Sequence, residues 1–83
     1  MKVKRVISVY NLLDDKLIRE IDLGNIQVSL LSKILTSNDE DPNFYMIYKL
    51  NKEQFLNFIR FAPLLSTITF DSNVEIYLES YQE

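Results

Sequence analysis

The sequence predicts an α+β fold: a single two-layer domain in which an antiparallel sheet of four to five strands carries two helices on one face. Apolar and polar residues alternate near both ends of the chain, apolar residues recur at helical spacing in two internal segments, and turn-forming residues separate these stretches. Eighty-three residues suffice for one hydrophobic core, so residues 1–83 form one domain in the order β-β-α-β-α-(β)-β.

The first two predicted strands form a hairpin. Residues 2–10 and 17–23 each place their apolar side chains on one parity, and the residues between them favour turns. A shared apolar face requires a loop with an odd number of residues, about three or five. One pairing that satisfies this condition sets Lys4 opposite Asp22.

Two arginines, Arg5 and Arg19, fall on the apolar parity of this hairpin. We expect both to lie near the margin of the sheet, where their long stems are buried and their charges reach solvent. The alternative is a partly buried pair of arginines that holds a carboxylate.

A helix follows from Ile26 to Leu35, with Asn25 as its N-cap. Residues 36–43, TSNDEDPN, form an exposed acidic loop because proline is their only apolar residue. Residues 44–50, FYMIYKL, are apolar on both parities. This pattern predicts a strand that is covered on most of its surface and lies at the centre of the sheet.

The second helix begins with a capping box, in which Asn51 and Gln54 cap each other, and it ends before Pro63. Residues 64–70 form either a loop or a strand that pairs with the end of the chain. The last segment, VEIYLESYQE at 74–83, alternates cleanly and predicts a strand.

The composition argues against an enzyme and against a metal or cofactor site. The sequence lacks cysteine and histidine, which removes thiolate chemistry, imidazole acid–base groups and the usual zinc ligands. Its single glycine, Gly24, is too few for a phosphate-binding loop. We therefore expect no catalytic residues, no metal ligands and no cofactor.

The net charge of −3 and the pI near 4.8 favour a basic protein partner over nucleic acid or an anionic membrane. The first hairpin does contain five cations, but four acidic residues accompany them and predict a neutralised sheet face: the cations are Lys2, Lys4, Arg5, Lys16 and Arg19. The apolar stretch in MKVKRVISVYN is too short for a signal peptide, so we expect a cytoplasmic protein.

The candidate site lies on the last strand. Its solvent-facing parity alternates glutamate and tyrosine, at Glu75, Tyr77, Glu79 and Tyr81. Tyrosine is enriched at protein interfaces, and neighbouring glutamates steer a basic partner toward them. The ordinary alternative is an outer sheet face whose tyrosines pack across strands against residues such as Tyr10.

Two further features bear on binding. The acidic loop residues Asp39, Glu40 and Asp41 could assist in holding a cationic partner. If the last strand lies at a sheet edge, its free amides could also pair with a second copy and form a homodimer.

The order of elements resembles small bacterial immunity proteins of secreted-toxin systems, including bacteriocin and contact-dependent inhibition systems. The segments that carry this resemblance are RVISVYNLLDDKLIREIDL, DPNFYMIYKL and VEIYLESY. The resemblance implies a small cytoplasmic protein that binds and neutralises a basic, nuclease-type toxin domain. Two alternatives remain open, a phage-type inhibitor of a host nucleic-acid enzyme and a homodimeric interaction module.

Overall fold

The structure, a computed structural model, describes residues 3–24, 26–36 and 39–82. It is an α+β domain with a four-stranded antiparallel sheet and two α-helices, which confirms the predicted fold class. The elements in chain order are β1 Val3–Asn11, β2 Leu17–Gly24, α1 Val28–Ile34, β3 Tyr48–Lys49, α2 Lys52–Ile59, a 3-10 helix Pro63–Thr67 and β4 Val74–Gln82.

The strand order is β2-β1-β4-β3, so the last strand is an interior strand of the sheet. β4 pairs with β1 along its whole length, from Val74 opposite Asn11 to Gln82 opposite Val3. Its other side is partly covered by β3. β4 is therefore not the edge strand on which the expectation of a homodimer was conditioned, and β3 pairs with its residues Tyr77 and Leu78.

One face of the sheet packs against the helices and forms the core. Burying each large aliphatic or aromatic side chain there contributes about 1.5–3 kcal/mol, which makes this layer the main source of stability. The strands contribute Ile7, Val9, Ile21, Ile76 and Leu78, and the helical layer contributes Leu31, Phe55, Phe58 and Leu65.

The first hairpin has the predicted odd-length loop, residues 12–16, closed by a hydrogen bond from the Asn11 amide to the Lys16 carbonyl (2.9 Å). The predicted register is wrong, because Val6 rather than Lys4 lies opposite Asp22. Two irregularities shift the pairing along the hairpin. Lys4 still reaches Asp22 diagonally, with 3.5 Å between the ammonium nitrogen and a carboxylate oxygen.

The prediction of a central strand over residues 44–50 is wrong. Only Tyr48–Lys49 is a strand, and it lies at the edge of the sheet. The cause is Asp41, whose carboxylate accepts hydrogen bonds from the Tyr45 and Met46 amides (2.8 and 2.9 Å) and from the Tyr48 hydroxyl (2.5 Å). These bonds hold the chain in a turn, with Phe44 in the left-handed conformation (φ 56°) and its ring in the core.

Arg5 lies beneath this turn and is buried, at 5 % exposure, rather than at a solvated margin. It donates to the Asn43 carbonyl (2.6 Å). Burial raises the pKa of Asp41, but the hydrogen bonds from Tyr48 and the two amides, with the charge of Arg5, outweigh it and hold that pKa below its ordinary value. Arg19 lies apart from Arg5 and donates to Thr67 (2.5 Å).

Residues 64–70 do not form a strand. The chain begins a 3-10 helix at Pro63, whose fixed φ and missing amide suit the first helical position. Leu65 of this helix is fully buried. Phe70 packs against Phe55 with 5.6 Å between ring centroids, so this segment serves the core as part of the helical layer.

Both predicted helices are present, and α1 is shorter than expected. It begins after Gln27, and the predicted cap Asn25 lies outside the described residues. The capping box of α2 is confirmed: the Asn51 side chain accepts from the Gln54 amide (2.8 Å), and the Gln54 side chain accepts from the Asn51 amide (2.9 Å).

Candidate functional site

The four predicted site residues of β4 lie side by side with residues of β1 on the sheet face opposite the helices. We call this surface the outer face. Successive side chains of a strand point to opposite faces. The residues next in sequence to the core residues of β1 and β4 therefore lie on this outer face. Its central pairs are Lys4 with Tyr81, Val6 with Glu79, Ser8 with Tyr77, and Tyr10 with Glu75.

The expectation that this face is open to solvent is wrong at its centre. Val6 and Ser8 are fully buried there, although neither is part of the hydrophobic core beneath the helices. Glu79 is only 8 % exposed, whereas Tyr81 at the end of the strand is 45 % exposed. The centre of the outer face is therefore buried, whereas Tyr81 at its end is exposed.

Glu79 is a buried carboxylate held by three hydroxyl groups. Tyr81 and Ser8 donate to Oε2 (2.6 and 3.1 Å), and Tyr10 donates to Oε1 (2.8 Å). Burial raises the pKa of Glu79, but the bonds from Tyr81, Tyr10 and Ser8 together outweigh burial, so its pKa lies below the ordinary value. Glu79 is thus an anion whose charge is stabilised by neutral donors.

Glu75 forms a second, more exposed cluster on the same strand. The Tyr77 hydroxyl donates to its Oε2 (2.6 Å), and the ammonium of Lys49 lies 3.2 Å from the same oxygen. The bond from Tyr77 and then the contact with Lys49 lower the pKa of Glu75. The ring of Tyr77 also meets the ring of Tyr10 edge-on, with centroids 5.7 Å apart.

The pKa values of the tyrosines shift in the opposite direction, upward. Each hydroxyl must stay protonated in order to donate a hydrogen bond to an anion. The bond to Glu75, with burial, raises the pKa of Tyr77 to about 12. The bond to Glu79, with burial, raises the pKa of Tyr81 to about 12. The pKa of Tyr10 is also raised, chiefly by its bond to Glu79. These phenols remain protonated donors throughout the physiological range. We call the six residues involved the hydroxyl–carboxylate network: Ser8, Tyr10, Glu75, Tyr77, Glu79 and Tyr81.

A shallow pocket of about 260 Å³ opens on the outer face. The rings of Tyr10 and Tyr77 meet at about a right angle beside it, at 77°. Ile47, from the loop before β3, borders it and is 65 % exposed. The full lining is Tyr10, Asp15, Ile47, Glu75, Tyr77 and Glu79.

The acidic loop is divided by the structure. Asp39 and Glu40 are exposed, as predicted for residues that could meet a partner. Asp41 is 5 % exposed, and both of its carboxylate oxygens accept hydrogen bonds from the turn. Asp41 is therefore a structural residue of this loop and not part of the candidate binding surface.

The basic residues of the first hairpin do not gather into one patch. Lys4 pairs with Asp22, Arg5 is buried under the loop, and Arg19 contacts the 3-10 helix. Lys2 lies outside the described residues. Lys4, Arg5 and Arg19 thus each contact a different part of the domain.

Sequence reasoning missed the contributions of Ser8, Asp15 and Ile47, and it placed Tyr10 on the face only as a packing neighbour. The alternation of β1 puts Ser8 and Tyr10 on one face. Their contact with Glu79 follows from the pairing of β1 with β4, strands about 70 residues apart in sequence. No local pattern encodes that register.

Within residues 3–24, 26–36 and 39–82, no three acidic side chains are grouped closely enough to hold a metal ion. In the same residues, no helix has the length and apolar character needed to cross a bilayer, which takes about 20 residues.

Comparison with known proteins identifies a family. No curated protein and no solved structure is similar enough to the chain to count as a match. A family described as a domain of unknown function, DUF7683, matches residues 4–79, which include β2, β3, both helices and most of β1 and β4. The chain therefore belongs to the DUF7683 family, a domain of unknown function.

Proposed function

We propose that this chain is a small acidic binding protein that inhibits a basic protein partner through its outer face. In its most specific form, it is a cytoplasmic immunity protein that neutralises a nuclease-type toxin domain. The observation that carries the proposal is the hydroxyl–carboxylate network, whose glutamates and tyrosines lie on the sheet face opposite the one that packs against the helices.

Charge supports a basic partner. The chain carries a net charge of −3. On the outer face, Lys4 and Lys49 are each paired with a carboxylate, whereas Glu79 is stabilised by hydroxyls alone. An approaching cationic surface would meet an anionic field, which raises association rates and disfavours anionic competitors.

The order of the side chains supports binding rather than simple solvation. Tyr77 and Tyr81 are each fixed by a 2.6 Å hydrogen bond to a glutamate, and Tyr77 also contacts Tyr10. Side chains that are already ordered lose little entropy when a partner docks, which leaves more of the contact energy for affinity. Rigid tyrosines of this kind are frequent binding hot spots.

The test starts with the wild-type chain as bait in an extract of its source cell, followed by purification of the captured protein. Calorimetry then compares wild type with Tyr81→Ala and Glu75→Ala. We expect each variant to weaken binding by about 2 kcal/mol, as for interface anchors, and we expect the wild-type chain to inhibit the partner's activity.

Leu64→Ala is the control, because Leu64 is an exposed apolar residue of the 3-10 helix, on the helical side of the domain. Its effect on affinity should stay within about 0.5 kcal/mol. If Tyr81→Ala and Glu75→Ala bind like wild type while Leu64→Ala binds weakly, the partner uses the helical side and the proposal is wrong. If the partner retains full activity in the complex, the inhibitory role is wrong.

A further inference from the structure

We propose that the outer-face pocket receives one arginine side chain of the partner, with its guanidinium between the Tyr10–Tyr77 wall and the Glu75 carboxylate. This inference rests on the proposed function and specifies which part of a basic partner the outer face recognises. Its basis is the combination of an aromatic wall, an exposed aliphatic side chain and an excess of carboxylates in a single cavity.

The size of the pocket matches a single side chain. Its volume of about 260 Å³ lies below the roughly 300–1,000 Å³ of pockets that hold whole small-molecule ligands. Its open form suits a group presented by another protein surface. Ile47 is 65 % exposed at this site, and such an exposed isoleucine can cover the aliphatic stem of a long inserted side chain.

The charges of the lining select a cation. Asp15, Glu75 and Glu79 contribute three carboxylates, and Lys49 is the one cation paired with any of them in the described chain. The ammonium of Lys49 is largely exposed, with 63 % of its side chain accessible, so it can move aside when a second cation arrives. Before the pocket is occupied, Lys49 is paired with one of the three carboxylates, and the other two have no cation paired with them in the described chain.

Arginine fits this lining better than lysine. A guanidinium is planar, stacks on aromatic faces and can donate two parallel hydrogen bonds to one carboxylate. The pocket offers both kinds of surface, the rings of Tyr10 and Tyr77 and the carboxylate of Glu75. A lysine ammonium would use the charge but not the planar wall.

The test uses the isolated full-length chain and three short peptides, acetyl-Gly-Arg-Gly-amide, its lysine analogue and its citrulline analogue. Citrulline keeps the shape of arginine without the charge. Titrations are followed by NMR through the Ile47 methyl signal and the backbone amides. We expect saturable shifts at Ile47, Tyr10 and Tyr77 with the arginine peptide, and binding weaker by about tenfold with citrulline.

Two variants and one control locate the site. Glu75→Gln and Asp15→Asn should each weaken binding of the arginine peptide several-fold, and asparagine tolerates the left-handed backbone of Asp15 (φ 56°). Glu20→Gln removes an equally charged residue of β2, paired with Ser8 but outside the pocket lining, and should leave binding unchanged. Far-UV circular dichroism verifies that each variant is folded.

The proposal is overturned if citrulline or lysine binds as tightly as arginine, or if Glu20→Gln weakens binding as much as Glu75→Gln. This failure is distinguishable from failure of the proposed function. Loss of partner affinity in Tyr81→Ala together with no arginine selectivity would retain the outer face as the docking surface and remove the arginine pocket alone.

Discussion

At the scale of single residues, the molecule depends on buried carboxylates whose hydrogen bonds come from hydroxyl and amide groups. Glu79 is stabilised by three hydroxyls, and Asp41 by two amides and one hydroxyl. An anion in such a site is stable only while all of its donors are present. Each carboxylate therefore fixes the positions of its neighbours, tyrosines in one case and a loop in the other.

The network makes a direct prediction for the tyrosines. In an alkaline titration followed at 295 nm, Tyr77 and Tyr81 should ionise with a pKa of about 12. Glu79→Gln should bring the pKa of Tyr81 down toward its ordinary value of 10.0, because the anion that opposes ionisation is gone. Tyr81→Phe identifies which ionisation belongs to Tyr81. If the ionisation assigned to Tyr81 kept its high pKa in Glu79→Gln, the hydrogen bond from Tyr81 to Glu79 would be absent in solution.

Asp41→Ala tests the structural role of the second carboxylate. The substitution leaves the Tyr45 and Met46 amides and the Tyr48 hydroxyl without their acceptor, and we expect a loss of about 2–4 kcal/mol in the free energy of unfolding. Urea denaturation measures it. Asp39→Ala, at an exposed position two residues earlier, should change stability by no more than about 0.5 kcal/mol. Equal effects would mean that Asp41 is as dispensable as its neighbour.

At the scale of elements, the sequence predicts best where the pattern is local. The strands β1, β2 and β4 follow from alternation, and the start of α2 follows from Asn51 and Gln54. Residues 44–50 could not be predicted in this way, because the Asp41 carboxylate competes with strand pairing by binding the Tyr45 and Met46 amides. Residues 63–67 form a 3-10 helix in which Leu65 is buried in the core. This burial depends on tertiary packing, which a local pattern does not show.

The candidate site could likewise be predicted only where it follows from a local pattern. The row Glu75, Tyr77, Glu79 and Tyr81 could be predicted because a strand has a period of two residues. The burial of Glu79 could not, since it depends on hydroxyls that β1 supplies across the sheet. The same holds for Ile47, which reaches the pocket from a loop whose path is set by Asp41.

The capping box offers a test at this scale. Asn51→Ala removes the acceptor for the Gln54 amide at the start of α2 and should cost about 1 kcal/mol in the free energy of unfolding. Thermal or urea denaturation measures it. Lys52→Ala, at the next and exposed position, is the control and should stay within about 0.5 kcal/mol. If Asn51→Ala left the free energy of unfolding unchanged, the capping box would not contribute to stability and α2 would depend on its core contacts alone.

At the scale of the whole molecule, stability should depend on pH at the acid end. The pKa values of Asp41, Glu75 and Glu79 are lowered in the folded state. Groups with lowered pKa stabilise the fold above their unfolded values of 3.8 and 4.5, and this contribution is lost as the pH falls through the lower folded values. We expect the free energy of unfolding to fall progressively below about pH 4.5. A flat profile down to pH 2 would contradict these assignments.

The two layers of the domain also divide its roles. The inner face of the sheet and the helices form the core and supply stability. The polar groups of the outer face form an ordered surface with a pocket at one end. Exposed apolar residues also occur on the helical side, at Leu56, Phe61 and Leu64. The domain therefore presents two candidate surfaces, and our account assigns the partner to the acidic one.

The footprint of the captured partner on the isotope-labelled chain tests this assignment most directly. NMR chemical shifts, recorded with and without the purified partner, report which residues lie in the contact. We predict that the largest changes fall on Tyr77, Tyr81 and Ile47, with the signals of Phe61 and Leu64 unchanged. A footprint centred on Phe61 and Leu64, with the outer face unaffected, would contradict the central claim that the glutamate–tyrosine row is the docking surface.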